Sequence, residues 1–121
     1  MNLIIDIGNT SAKLSVFSKG EMVETIRCSN RTLDGLPILC DKYPIRKGIV
    51  SSVVTLNSQI RQALDKLPFP VMEFTHHTPV PVKNLYKTPE TLGMDRLAAA
   101  IAAQAQSSGQ PILVIDAGTC I

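Results

Sequence analysis

No run of this sequence approaches the roughly 18 consecutive apolar residues that a membrane-spanning helix needs, so no membrane partner is expected. The N-terminus lacks the charged region and cleavage site of a secretory signal and goes directly into an apolar strand. Cysteine is scarce. Cys28, Cys40 and Cys120 are too widely spaced for a disulfide framework or a zinc pattern, and the simplest expectation is a reducing cytoplasm. Charge of one sign is also missing: twelve basic and ten acidic residues give a net +2, and no basic block stands out. That gives no support for nucleic acid or an anionic membrane as partner. Neither a GxxxxGK[ST] phosphate loop nor a Ser-His-Asp spacing occurs. His76-His77 is an adjacent pair with no Cys or Glu at ligand spacing, which reads as an ordinary loop rather than a metal site. At 121 residues the chain can bury one core of modest size, enough for one domain or slightly more.

What is present begins with a run of short elements. Asn2 to Ile7 reads as a strand, followed by a polar turn at Gly8-Asn9-Thr10. Residues 12 to 17 mostly alternate, as a strand with one wet face does. Lys19-Gly20-Glu21 is a turn and Met22 to Arg27 a third strand, so an antiparallel meander is expected. The period then changes. Leu33 to Tyr43 is weakly helical and interrupted at Leu36-Pro37, and Gly48 to Val54 is a strand. Asn57 to Leu67 is an amphipathic helix ended by Pro68, and Val71 to Phe74 another strand. Residues 75 to 88 read as an irregular loop. The last helix is expected to start with Thr88 as N-cap and Pro89 behind it, or else at Thr91, and to run to Ser107 before Gly109. Pro111 then opens a final strand. The order βββ-α-β-α-β-α-β predicts an α/β fold, a mixed sheet with helices on its faces. Six alanines between Ala98 and Ala105 suit close packing against that sheet, with a subunit interface as the sharper reading.

The tail of the chain echoes its head. Leu3-Ile4-Ile5-Asp6-Ile7-Gly8-Asn9-Thr10 is answered by Leu113-Val114-Ile115-Asp116-Ala117-Gly118-Thr119-Cys120. Both look like buried central strands ending in Asp-x-Gly, and an Asp there is costly without a partner. Two matching polar turns suggest a duplicated fold that holds a ligand with several phosphates. In the first turn Gly8 admits an anion close to the backbone, and Asn9, Thr10 and Ser11 add donors. Lys13 can reach a phosphate, and Asp6 can hold Mg²⁺ directly or through water. A plain hairpin explains this turn equally well when taken alone; the echo favours the ligand. A second cluster, Gly93-Met94-Asp95-Arg96, lies at a helix N-terminus, where N–H groups and the dipole favour anions. Asp95 suits a general base and Arg96 a clamp on carboxylate or phosphate, although dipole stabilisation and a solvated Arg96 explain those two residues in isolation. Tyr86 and Lys87, just upstream, have weaker individual claims.

Taken together, Asp6-Ile7-Gly8-Asn9-Thr10, Tyr86, Thr91-Leu92-Gly93-Met94-Asp95-Arg96 and Asp116-Ala117-Gly118-Thr119 closely resemble the motifs of type III pantothenate kinases. These belong to the superfamily of acetate and sugar kinases, heat-shock chaperone ATPases and actin. The resemblance implies a ribonuclease H-like, actin-type ATPase domain over residues 1–110, with 111–121 the first strand and turn of a truncated second domain. It implies transfer of the γ-phosphoryl of Mg-ATP to pantothenate, opening coenzyme A synthesis, with K⁺ or NH₄⁺ as a monovalent cofactor and a homodimer as the assembly. Residue by residue, Asp6, Ile7, Gly8, Asn9, Thr10, Ser11, Ala12 and Lys13 would bind ATP phosphates, with Asp6 near Mg²⁺. Tyr86, Gly93, Met94, Asp95 and Arg96 would bind pantothenate, with Asp95 taking up the proton. Asp116 would hold K⁺ and Thr119 touch ATP.

Cys120 departs from the Ala that usually follows this last motif, a small change expected to be tolerated. Members of the family are also about twice as long, so the chain is expected to be an N-terminal half, inactive alone. A non-catalytic accessory transcription regulator and a kinase with another small-molecule acceptor are the alternatives; the Gly93 to Arg96 segment favours pantothenate.

Overall fold

Leu3, Ile5 and Ile7 are fully buried, whereas Asn2 and Ile4 are exposed and Asp6 is half-buried. This is the two-residue period of a strand covered on one face. The computed structural model describes residues 1–117, and there this segment is β1 (Asn2–Ile7), the centre of a five-stranded sheet. The chain divides into two compact units, Met1–Phe74 and the residues from Thr75 onward, and each is described by itself.

In the first unit β1 pairs antiparallel with β2 (Ala12–Ser18), which pairs antiparallel with β3 (Glu21–Cys28). On its other side β1 runs parallel to β4 (Lys47–Ser52), and β4 parallel to β5 (Val71–Glu73). The sheet order β3-β2-β1-β4-β5 contains the expected meander and the expected mixed sheet. Lys19 and Gly20, at φ 51° and 86°, make the tight turn between β2 and β3, where positive φ matches the twist of the flanking strands. A bulge at Val16/Phe17 then shifts the register of that pair by one residue.

The helices are α1 (Leu36–Lys42) and α2 (Ser58–Asp65). Leu36-Pro37 does not interrupt α1 but opens it. Pro37 lies in the first turn, where its missing N–H would have had no helical partner. Asn57 caps α2, its Oδ1 accepting from the Ile60 N–H at 2.8 Å. Leu36 and Leu39 of α1 and Ile60 of α2 join Leu3, Ile5, Ile7, Leu14, Val16 and Val50 in one core. Both helices therefore cover the same face of the sheet. Burying each such side chain contributes about 1.5–3 kcal/mol. On the opposite face Ile4 remains 37% exposed and Met72 52%.

In the second unit Thr88-Pro89 does begin a helical segment, but only a 3-10 turn over Pro89–Thr91. Leu92, extended at φ −66° and ψ 128°, breaks it. α3 (Met94–Gln106) starts afresh with Gly93 as its N-cap, so neither Thr88 nor Thr91 caps it. Gly inside a first turn costs about 1 kcal/mol relative to Ala, whereas at the cap glycine is tolerated. The helix ends at the expected place, with Ser107 as C-cap and Gly109 at φ 82°. Of its residues only Met94 and Leu97 are buried, and Ala98, Ala100, Ala102 and Ala105 are exposed rather than closely packed. Among the described residues the expected final strand is not formed. Residues 111–117 join no ladder, and Leu113 and Ile115 are 82% and 71% exposed. An apolar run becomes a central strand only where neighbours take its backbone hydrogen bonds, and among the described residues none does. Gly118, Thr119 and Cys120 lie outside the described residues.

Candidate functional site

The open face of the sheet carries a polar row. The register sets Asp6 opposite Lys13 on one side and opposite Ser51 on the other, and Lys13 opposite Arg27. Paired residues share a face, so Arg27, Lys13, Asp6 and Ser51 line up across β3, β2, β1 and β4 beside the first turn. Two cations directly opposite one another destabilise a sheet, and an anion between or above them removes that cost. The Arg27 guanidinium leans toward the turn, its Nη1 donating to Ser11 Oγ at 3.4 Å.

The Asp6 side chain has no hydrogen bond or ion pair among the described residues, and Ser51 Oγ is buried without a partner. Mg²⁺ prefers hard oxygen ligands and usually retains several waters. A carboxylate beside an orphaned hydroxyl fits a hydrated Mg²⁺, with Asp6 as its charged ligand. Asp6 is thus not the buried carboxylate of a core strand; it faces away from the helices.

The turn itself is closed by the Gly8 N–H donating to Ser11 O at 3.0 Å. A Cβ on Gly8 would sit 3.2 Å from that carbonyl, so close backbone approach, not positive φ, is what glycine serves here. Asn30 Nδ2, from the segment after β3, donates to both Gly8 O and Asn9 O at 2.9 Å. Asn57 Nδ2 in turn donates to Arg31 O at 3.1 Å. The backbone N–H groups of Asn9 and Thr10 have no partner among the described residues. Ile7 and Ala12 are fully buried, so their side chains are not available to a ligand.

The second cluster belongs to the second unit. Asp95 and Arg96 are exposed on the first turn of α3, and Met94 is 8% exposed. Leu97 N–H makes the first bond of the helix, to Gly93 O at 3.1 Å. The N–H groups of Met94, Asp95 and Arg96 are thereby left for an anion, with the positive end of the dipole behind them. The Asp95 carboxylate folds back over Gly93, into space that any Cβ there would occupy. Arg96 and Asp116 line one cavity of about 350 Å³ together with Ala99, Val114 and Ile115. Tyr86 is half-exposed, its N–H donating to Asn84 Oδ1 at 3.0 Å. Thr119, expected to touch ATP, lies outside the described residues.

Other chemistry finds little support. Burial pushes the Cys28 and Cys40 thiols up from their ordinary value, the reverse of an activated nucleophile. Among the described residues no group of three His, Cys, Asp or Glu is placed to hold a metal, and no helix is long and apolar enough to cross a membrane.

The family model for type III pantothenate kinase matches residues 2–121. A protein of Phocaeicola vulgatus named type III pantothenate kinase is 61% identical over 121 residues. Proteins of the same name from Bacteroides fragilis and Christiangramia forsetii are 57% and 41% identical. In each case the whole chain is covered, but only 50% of the relative, so the chain spans about half the length of the curated relatives it matches. The chain belongs to the type III pantothenate kinase family.

Proposed function

We propose that this chain carries the phosphate-binding and acceptor-binding elements of an ATP-dependent pantothenate kinase with the actin-type ATPase fold. The observation that carries the reading is the row on the open sheet face, where Lys13 lies opposite Arg27 and beside Asp6, next to a turn with free N–H groups. This arrangement suits a polyphosphate and the cation that accompanies it.

In the reaction, the hydroxyl oxygen of pantothenate bonds to the γ-phosphorus, the bond from that phosphorus to the bridging oxygen breaks, and ADP leaves. Asp95 takes the hydroxyl proton. Arg96 and the N–H groups at the start of α3 hold the carboxylate of pantothenate. Lys13, Arg27 and the Asn9–Thr10 backbone hold the phosphates of ATP. Mg²⁺, when bound at Asp6, neutralises charge on the phosphate oxygens. Catalysis of this kind depends mainly on position and charge.

A monovalent cation at Asp116, Thr119 as an ATP contact and a second domain beginning near residue 111 belong to the same proposal. Among the described residues of the Arg96 cavity, Asp116 supplies the only side-chain oxygen, so no step is assigned to K⁺. The exposed alanines of α3 are offered as the contact of a homodimer. The test is a coupled ADP-release assay on the natural full-length protein with pantothenate and Mg-ATP, with and without K⁺ or NH₄⁺. Pantothenate-dependent turnover is expected, and it should rise with the monovalent cation. ADP release indifferent to pantothenate would remove the acceptor assignment.

A further inference from the structure

We infer that Asn30 is a positioning residue for the phosphate turn, holding two of its carbonyls so that two backbone N–H groups face the nucleotide. The inference rests on reading the Gly8–Thr10 turn as the phosphate contact. The side chain lies in the segment after β3, 21 and 22 residues from the atoms it holds, so it is not part of the turn's own geometry. One nitrogen, Nδ2, donates to Gly8 O and to Asn9 O, each at 2.9 Å.

The consequence follows from the planarity of the peptide unit. In a trans peptide the C=O of one residue and the N–H of the next point in opposite directions, and the described chain contains no cis peptide bond. With the Gly8 and Asn9 carbonyls drawn toward Asn30, the N–H groups of Asn9 and Thr10 both point away from it. Those two N–H groups lack a partner among the described residues. Consecutive N–H groups turned the same way form a concave anion site. Without the amide, either peptide plane is free to rotate and present a carbonyl oxygen to the phosphate instead. Asn30 itself need not touch the nucleotide.

Asn57 steadies this device from the far side. Its Oδ1 caps α2, and its Nδ2 holds Arg31 O, the carbonyl of the residue after Asn30.

The test uses Asn30→Ala, which removes both bonds, and Asn30→Asp, which keeps the shape but sets a carboxylate against two carbonyls. Both are made in the natural full-length protein, alongside the unaltered protein. KM for ATP and for pantothenate is measured, with binding of a non-hydrolysable ATP analogue by calorimetry and the melting temperature as a check on folding. Loss of two hydrogen bonds predicts a KM for ATP raised about tenfold in Asn30→Ala, and further in Asn30→Asp, with KM for pantothenate within about twofold. Analogue binding should weaken in parallel. A folded variant with unchanged ATP affinity overturns the inference, and so does an equal rise in both KM values, which would mark a purely structural role. If the unaltered protein binds the analogue but does not phosphorylate pantothenate, weakened analogue binding in Asn30→Ala upholds the inference while the acceptor assignment fails. If the unaltered protein binds no nucleotide, both fail.

Discussion

Gly93 keeps open the space into which the Asp95 carboxylate folds. The two residues stand two apart at the start of α3, and any β-carbon on the first would collide with an oxygen of the second. The backbone of Gly93, φ −57° and ψ 135°, is one that alanine adopts without strain. Glycine is therefore needed there for room, not for flexibility. Gly93→Ala should leave the protein folded, and at a permitted conformation it can gain about 0.4–1 kcal/mol through the unfolded chain. Because Asp is short, its carboxylate must swing aside, and the proposed proton acceptor is then misplaced. The expected outcome is a melting temperature equal to or above that of the unaltered protein, with kcat lower by about tenfold or more. Thermal unfolding and the coupled assay on the full-length protein check the pair. An unchanged kcat would show that the position of this carboxylate does not matter to the reaction.

Asp6 makes a different demand, since its side chain is half-exposed and has no partner among the described residues. Asp6→Asn removes a charge without emptying the core. The altered protein should fold with an unchanged circular dichroism spectrum. The Mg²⁺ concentration giving half-maximal rate should rise by at least about tenfold, because a neutral amide is a far poorer ligand for a hard dication. Titrating Mg²⁺ at saturating ATP and pantothenate measures this directly. An unaltered Mg²⁺ requirement would take the metal away from Asp6.

How much of this was legible in the sequence varies with the kind of signal. The bounds of β1 were, because apolar residues at 3, 5 and 7 leave little choice of period and Gly8 ends the run. The candidate site residues Asp6, Lys13 and Asp95 stood out because their types and spacing carry chemistry on their own. Arg27 did not. Counting outward from the Lys19–Gly20 turn, with Ser18 opposite Glu21 and Phe17 opposite Met22, would place Ile26 opposite Lys13. The bulge at Val16/Phe17 moves the register by one, so Arg27 takes that place and Ile26 turns to the core beside Leu14. No local pattern announces a bulge of that kind. Asn30 and Ser51 were missed for a related reason. An Asn in a loop and a Ser in a strand are ordinary, and they acquire a role only from what the fold sets next to them. The strand expected after Pro111 failed in the opposite direction. Its sequence repeats that of β1, but a central strand is made by its neighbours as much as by its residues.

Glu24 offers a test of the fold that is independent of the reaction. Its Oε2 accepts from Lys42 Nζ at 2.7 Å and from Tyr43 OH at 2.5 Å, tying β3 to the C-terminal end of α1. The hydrogen bond from Lys42, and then that from Tyr43, holds the Glu24 carboxyl below its ordinary value of 4.5. The same hydrogen bond, with a smaller one to Tyr43, holds the Lys42 ammonium above 10.5. For the carboxylate, stability is present above its unfolded value and is lost as pH falls through the lower folded one. For the ammonium, stability is present below its unfolded value and is lost as pH rises through the higher folded one. The melting-temperature gap between the unaltered protein and Glu24→Gln should thus be level through the neutral range. It should close below the depressed carboxyl value and narrow in strong alkali. Salt separates the two donors. The Lys42 side chain is 56% exposed, so its share is screened as ionic strength rises. Tyr43 donates to the same oxygen through a neutral hydroxyl, and that share should persist. Melting curves at neutral pH in low and molar salt should show a gap that shrinks but does not vanish. A gap lost entirely in salt would mean that Tyr43 adds nothing, and a gap indifferent to salt would mean the same of the Lys42 charge.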